Sequence, residues 1–211
     1  MNGWRIGYKL FNLLARIPGL RQLFRLRAAQ RLRETVYVRF VLGLPDRHYF
    51  DAHIIPRLRE AAPPRMLFVG CAPYTAHYVE SFQSAGIELW TMDLLPENAP
   101  YGAPGRHITG DLLEAGATFK QMWFDGILLN GVFGYGLNEP PLMERALHVL
   151  HGLLKPEGFL LVGWNRGLVP DPLTLGPCAA LFEHTSVLGL PARHSFEKCT
   201  HVYDWFRARP G

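Results

Sequence analysis

Two short stretches hold the residue types from which a nucleotide-like ligand site is built. Met66-Leu67-Phe68-Val69 is an apolar run that stops at the small residues Gly70-Cys71-Ala72 before Pro73. A second apolar run over residues 87–92 ends at Asp93. Small residues let backbone N–H groups approach a ligand closely, and a helix N-terminus just beyond favours negative charge there. A carboxylate about 20 residues further on accepts from both hydroxyls of a ribose at once. The pair points to a binder of a nucleoside-containing cofactor.

The elements that position these residues follow from pattern. Residues 66–69 and 87–92 read as strands, and residues 74–85 read as a helix closed by Gly86. A Pro-, Gly- and Asn-rich loop spans residues 94–106, and a short third strand leads through His107 to Gly110-Asp111-Leu112. Phe124–Asn130 (FDGILLN) is a continuous apolar run, as expected of a strand buried on both faces. Residues 142–154 space Leu142, Ala146, Leu147, Leu150, Leu153 and Leu154 on one helical face, and residues 159–164 read as a fifth strand after the turn Lys155-Pro156-Glu157-Gly158. Strands alternating with helices predict an α/β, Rossmann-like, mostly parallel sheet with helices on both faces. Residues 185–190 and 200–207 read as two further strands with no helix between. That predicts seven strands in all, closed by a C-terminal antiparallel hairpin. Upstream, residues 48–61 look helical but are interrupted by Pro56, and residues 35–44 are ambiguous between helix and strand.

The chain has 211 residues, 48% hydrophobic and 19% charged, which is the composition of a globular protein and excludes a disordered one. No apolar run reaches the roughly 18 residues of a transmembrane helix. The three cysteines, Cys71, Cys178 and Cys199, are scattered and odd in number, which suits a reducing compartment and a cytoplasmic protein. No Cys/His grouping has zinc-site spacing. The net charge of +4 is uneven: residues 1–33 hold eight basic side chains and no acidic one, leaving the remainder acidic. On a helical wheel, residues 5–17 place Ile6, Leu10, Leu13, Leu14 and Ile17 opposite Arg5, Lys9 and Arg16. This basic helical extension, residues 1–47, has three readings. Its apolar face packs on the domain or covers its pocket; it lies on an anionic membrane surface at the inner face; or it is a basic arm for nucleic acid, the least favoured.

Residues 48–211, and most closely 48–207, resemble a class I S-adenosylmethionine-dependent methyltransferase domain. The resemblance rests on the Gly70 turn, on Asp93, on Gly110-Asp111-Leu112, and most specifically on FDGILLN followed by a helix and LLKPEGFLLV. It implies S-adenosyl-L-methionine as cofactor. Gly70, Cys71 and Ala72 would lie against its methionine part, Asp93 would hold the ribose and Leu94 would pack on the adenine. Asp111 would accept from the adenine amino group with Leu112 beside it, and Asn130 would face the methyl-donor end and the substrate. The glycine loop departs from the family pattern: Phe68 replaces an acidic residue, Ala72 the second glycine and Tyr74 the third. Side chains are accepted there where φ is negative and refused where it is positive.

Methyl transfer from a sulfonium needs proximity and orientation, and a hydroxyl acceptor also needs a base. Tyr135, between Gly134 and Gly136 in the loop after Asn130, reads as an aromatic flap over the substrate, and His107, His184, His194 and His201 are candidate bases. The expected function is a methyltransferase acting on a small-molecule acceptor, an O-methylation, with a lipid-linked or glycan acceptor if the N-terminus is membrane-bound. A methyltransferase-like scaffold without catalysis, an RNA methyltransferase and a nicotinamide enzyme are the alternatives.

Overall fold

A computed structural model describes residues 27–210. The amphipathic stretch expected over residues 5–17 lies outside the described residues, and the membrane-surface reading with it. The chain divides into two compact units between Gly43 and Leu44. In the first, helix α1 (Arg27–Leu42) takes up the end of the basic stretch and resolves the ambiguous segment after it as helix. Among the described residues no helix is long and apolar enough to cross a membrane.

The second unit opens with α2 (Pro45–Tyr49), a π-helical turn (Phe50–Ile54) and α3 (Ile55–Ala61). The interruption expected at Pro56 takes the form of this wide turn. Proline offers no N–H and its ring crowds the carbonyl four residues back, so a looser i→i+5 turn ahead of it removes the conflict. There follow β1 (Arg65–Val69), α4 (Ala76–Ser84), β2 (Glu88–Asp93), β3 (His107–Thr109), α5 (Ala115–Thr118), β4 (Phe124–Asn130) and α6 (Pro140–Leu153). The chain ends with β5 (Leu154–Asn165), α7 (Gly176–Leu181), β6 (Phe182–His184), β7 (Arg193–Ser195) and β8 (His201–Ala208).

The strands form one sheet in the order β3-β2-β1-β4-β5-β8-β6, with β7 also paired to β8. The first five are parallel and β8 runs antiparallel to β5. The sheet has eight strands where the sequence predicts seven. The outer edge of β8 is shared by two three-residue strands, β6 against residues 206–208 and β7 against residues 202–204. The strand expected over residues 185–190 is instead a tight turn: Val187 and Leu190 exchange backbone hydrogen bonds around Leu188 and Gly189, which have φ of 54° and 74°. Two central residues at positive φ are the signature of a twisted two-residue hairpin turn.

Both faces of the sheet are buried, as parallel strands flanked by helices require. Side chains alternate with the pleat. Leu67, Val69, Ile127, Leu129, Leu160 and Val162 pack with α6 on one face. Met66, Phe68, Leu128 and Leu161 pack on the other with Phe50, Ile54, Leu58, Tyr78 and Phe82 from the α2–α3 segment and α4. Trp164, Trp205 and Phe206 are core residues. Asp204 is wholly buried and its carboxylate is fully engaged, by Arg193 at 2.7 and 2.9 Å, Trp164 Nε1 at 2.8 Å and His184 Nε2 at 3.0 Å. This network fixes β7 to β8.

Candidate active site

The parallel strands all end on one edge of the sheet, and the crevice there is built first by the turn after β1. Gly70 has φ of +96°, and a Cβ at this position would fall on the backbone carbonyl oxygen of Asn130. Only glycine fits. Ala72, at the second glycine position, is fully extended (φ −159°, ψ 165°), so its methyl group meets no strain. Tyr74 belongs to the 3-10 turn Pro73–Thr75 and is not among the described non-glycine residues with positive φ, which are Ala62, Met122, Glu157 and Leu188. Thr75 braces the turn: its hydroxyl accepts from the Ala72 N–H at 3.0 Å and donates to the Ala72 carbonyl at 2.9 Å. The departures from the family's glycine pattern fall where φ accepts side chains.

Asp93, at the end of β2, is buried and heavily used. One carboxylate oxygen accepts from the Cys71 N–H at 2.7 Å; the other accepts from the Leu95 N–H at 2.8 Å and Asn98 Nδ2 at 3.0 Å. A carboxylate has about four acceptor positions, which leaves about one open for a hydroxyl. The same contact fixes the turn, since Cys71 takes its place through its backbone. The Cys71 thiol is buried and pushed up to about 12 by burial and the nearby Asp93 charge, so it is no nucleophile. Leu94 is 61% exposed, an apolar surface beside Asp93. Asp111 is exposed and caps the turn Leu112–Glu114 by accepting from the Leu113 N–H at 2.9 Å. Leu112 is buried in the core and offers the crevice only its main chain. Gly70 touches Asn130 and Cys71 touches Asp93, while Leu94, Asp111 and Leu112 follow along the ends of β2 and β3.

The other half of the crevice lies on the β4, β5 and β8 side. Register puts Asn130, Gly163 and Tyr203 in one row across three strands. Gly163, in the middle, has no side chain, and the space it leaves is taken by Asn130 Oδ1 and His201 Nε2. The Tyr203 hydroxyl, beside the Asn130 amide, donates to the Asp46 carbonyl at 3.2 Å. Arg47 reaches in from α2, its guanidinium 4.8 Å over the Tyr74 ring and its Nε 3.4 Å from Asp46. Tyr135 stands on the loop after β4, its ring exposed and its hydroxyl accepting from Asn165 Nδ2 at 3.3 Å.

Several buried polar atoms here have no hydrogen-bond partner among the described residues: Asn130 Oδ1, His201 Nε2, Tyr78 OH, and Arg47 Nε and Nη1. Each orphaned group costs about 1–3 kcal/mol, and Asn130 Oδ1 and His201 Nε2 meet over Gly163, a candidate place for a polar ligand. Of the four candidate histidines, His201 alone faces this place. His184 is bound to Asp204, His107 Nδ1 to the Thr91 hydroxyl at 3.0 Å, and His194 stacks on Tyr49 at 3.8 Å. Burial, and then the Arg47 charge, hold the His201 imidazole from its ordinary 6.5 down to about 3. Unfolded His201 therefore takes a proton below pH 6.5 that the folded form refuses until about pH 3, and stability falls with pH across that window. His201→Gln should flatten the fall of the melting temperature between pH 6.5 and 5; an unchanged acid limb would contradict this burial.

Sequence reasoning missed Asp46, Arg47, Tyr78 and Tyr203. Arg47 sits in a helix begun by Pro45, a residue favoured in a first helical turn. That dipeptide-level signal reads equally as a turn. Among the described residues no grouping of His, Cys, Asp and Glu could hold a metal ion.

No protein-family profile matches this sequence, and no curated protein matches it. Solved structures do. The N-methyltransferase NodS from Bradyrhizobium japonicum WM9, in complex with S-adenosyl-L-homocysteine, aligns with a TM-score of 0.59 at 17% identity over 84% of this chain and 99% of that one. A TehB-like SAM-dependent methyltransferase from Corynebacterium glutamicum ATCC 13032 aligns with a TM-score of 0.56 at 19% identity over 85% of this chain and 100% of that one. Burkholderia thailandensis 1,6-didemethyltoxoflavin-N1-methyltransferase, with S-adenosylhomocysteine and 1,6-didemethyltoxoflavin bound, gives 0.54 and 19% over 84% of this chain and 90% of that one. The fold is therefore that of the class I S-adenosylmethionine-dependent methyltransferases.

Proposed function

We propose that this chain is an S-adenosyl-L-methionine-dependent methyltransferase acting on an oxygen of a small-molecule acceptor. The observation that carries the reading is a ligand-ready crevice in two halves. One is the Gly70 turn, closed to any Cβ and tied to Asp93; the other is the set of unpartnered buried atoms around Asn130 and His201. The residues present fit the cofactor. Gly70, Cys71 and Ala72 would hold its methionine part, Asp93 a ribose hydroxyl through its open acceptor position, Leu94 the adenine face, and Asp111 with the Leu112 main chain the adenine edge.

When bound, S-adenosylmethionine supplies a methyl group already activated on a sulfonium. The chain's own residues then orient the acceptor. Asn130 would line the acceptor's place, Tyr135 would cover it, and His201 Nε2, unpartnered, would accept the hydrogen bond of the acceptor hydroxyl and take its proton as the methyl group passes to oxygen. The braced, unstrained turn at Ala72–Thr75 favours this reading over a scaffold that has lost its cofactor. Isothermal titration with S-adenosylhomocysteine tests it: saturable one-to-one binding is expected, and a cooperatively melting protein that binds neither this compound nor S-adenosylmethionine would overturn it.

A further inference from the structure

The strongest feature that this reading leaves unused is Arg47. It is 92% buried in the unit that carries the crevice, yet Nε and Nη1 donate to nothing among the described residues, and Nη2 makes only a long 3.4 Å bond to the Tyr74 hydroxyl. Asp46 is its nearest carboxylate, at 3.4 Å, and Asp46 also lies 4.0 Å from His201 Nδ1. A buried guanidinium is stable when its donors are met, and the planar group matches a carboxylate or phosphate. Resting on the proposed function, we propose that the acceptor is an anion whose carboxylate or phosphate docks on Arg47 while its hydroxyl lies at Asn130 and His201.

Proximity supports the pairing. Arg47 acts electrostatically on Tyr203 and His201, both in the Asn130 row or beside it, and on Tyr135 above it. The groups facing His201 are Asp46, Arg47, Asn130 and the Tyr203 ring at 4.6 Å. An anion on Arg47 would offset the lesser of the two causes that oppose protonation of His201; burial, the larger, would remain.

The test uses acetate as the anion, acetamide as its neutral counterpart, and chloride to match ionic strength. Each is titrated into the full chain with and without saturating S-adenosylhomocysteine, and thermal midpoints are read. Acetate should raise the midpoint saturably in the loaded protein and acetamide should not. Arg47→Met should weaken the acetate effect at least tenfold while keeping the S-adenosylhomocysteine effect, and Arg47→Lys should retain part of the acetate effect and all of the S-adenosylhomocysteine effect. Three results would overturn the proposal: no saturable acetate effect in the loaded wild type, an acetate effect that survives Arg47→Met, or an acetate effect seen only in the unloaded protein. The last would show that the methionine carboxylate of the cofactor occupies the seat. Failure of S-adenosylhomocysteine itself to bind would sink the function reading instead, and is read separately in the same titration.

Discussion

Asp93→Ala is expected to lower the thermal midpoint by roughly 10 °C and to abolish stabilisation by S-adenosylhomocysteine. The first effect comes from the protein alone. Three donors, the Cys71 and Leu95 N–H groups and Asn98 Nδ2, lose a charged acceptor. At about 1–3 kcal/mol each, partly rescued by water at the more open Asn98, the loss is about 4 kcal/mol. For a unit of this size each kcal/mol moves the midpoint by roughly 2–4 °C. The second effect is ligand linkage: a compound at about 100 times its dissociation constant adds about 2.7 kcal/mol, and that increment should vanish with the ribose acceptor and the shape of the turn. Asp93→Asn separates the two. It keeps an oxygen for Leu95 and Asn98 but can present an NH2 group to the Cys71 N–H, so the turn should loosen with a smaller global cost. Differential scanning calorimetry of the three proteins, with and without ligand, checks both parts. A variant Asp93→Ala that melts like wild type would refute the role given to this carboxylate as the tie of the turn.

Gly70→Ala should cost about 3 kcal/mol and remove cofactor binding. A left-handed backbone charges an L side chain about 1–2 kcal/mol, and the new Cβ meets the Asn130 carbonyl, a backbone atom with no room to retreat, adding about 1–3 kcal/mol. Gly131 is the internal control. It too has positive φ (72°), but nothing lies within 4 Å of its would-be Cβ, so Gly131→Ala should cost only about 1 kcal/mol. Ala72→Gly provides the converse. The position is extended, so restoring the family's glycine should leave S-adenosylhomocysteine affinity unchanged and cost about 0.5–1 kcal/mol in backbone entropy. Urea denaturation of the three variants, paired with the titration, measures each term. A tighter-binding Ala72→Gly would contradict the view that this turn already holds its ligand-ready shape.

The central strands were legible because their sequence states their environment. FDGILLN has no alternation to disguise, and burial on both faces is the direct reading of such a run. The place of Asp93 at the end of β2 was legible, but its three internal bonds were not, because they depend on where the Gly70 turn and Asn98 come to rest. The tail misled for a local reason. Residues 185–190 hold Thr, Val and Leu in a strand-like order, while the Leu188-Gly189 pair that folds them back lacks the Asn-Gly or Asp-Gly signal of a tight hairpin turn. The β4, β5 and β8 side of the crevice was the least legible. Asn130, Gly163 and Tyr203 share a row only through the pairing register, and Asp46 joins it through the Tyr203 hydroxyl, 157 residues away along the chain. No spacing rule links such positions; only the folded sheet does.

The two three-residue strands on the outer side of β8 have a consequence for how molecules of this protein meet. An unpaired sheet edge is a template for strands of another chain, and its reach grows with its length. Here one border is β3, three residues long, and the other is split between β6 and β7, three residues each, with a tight turn and Pro191 between them. An incoming strand finds no more than three consecutive positions before the template stops. The fold thus ends its sheet in pieces too short to propagate, and intermolecular β-pairing is blunted by the same turn that broke the expected sixth strand.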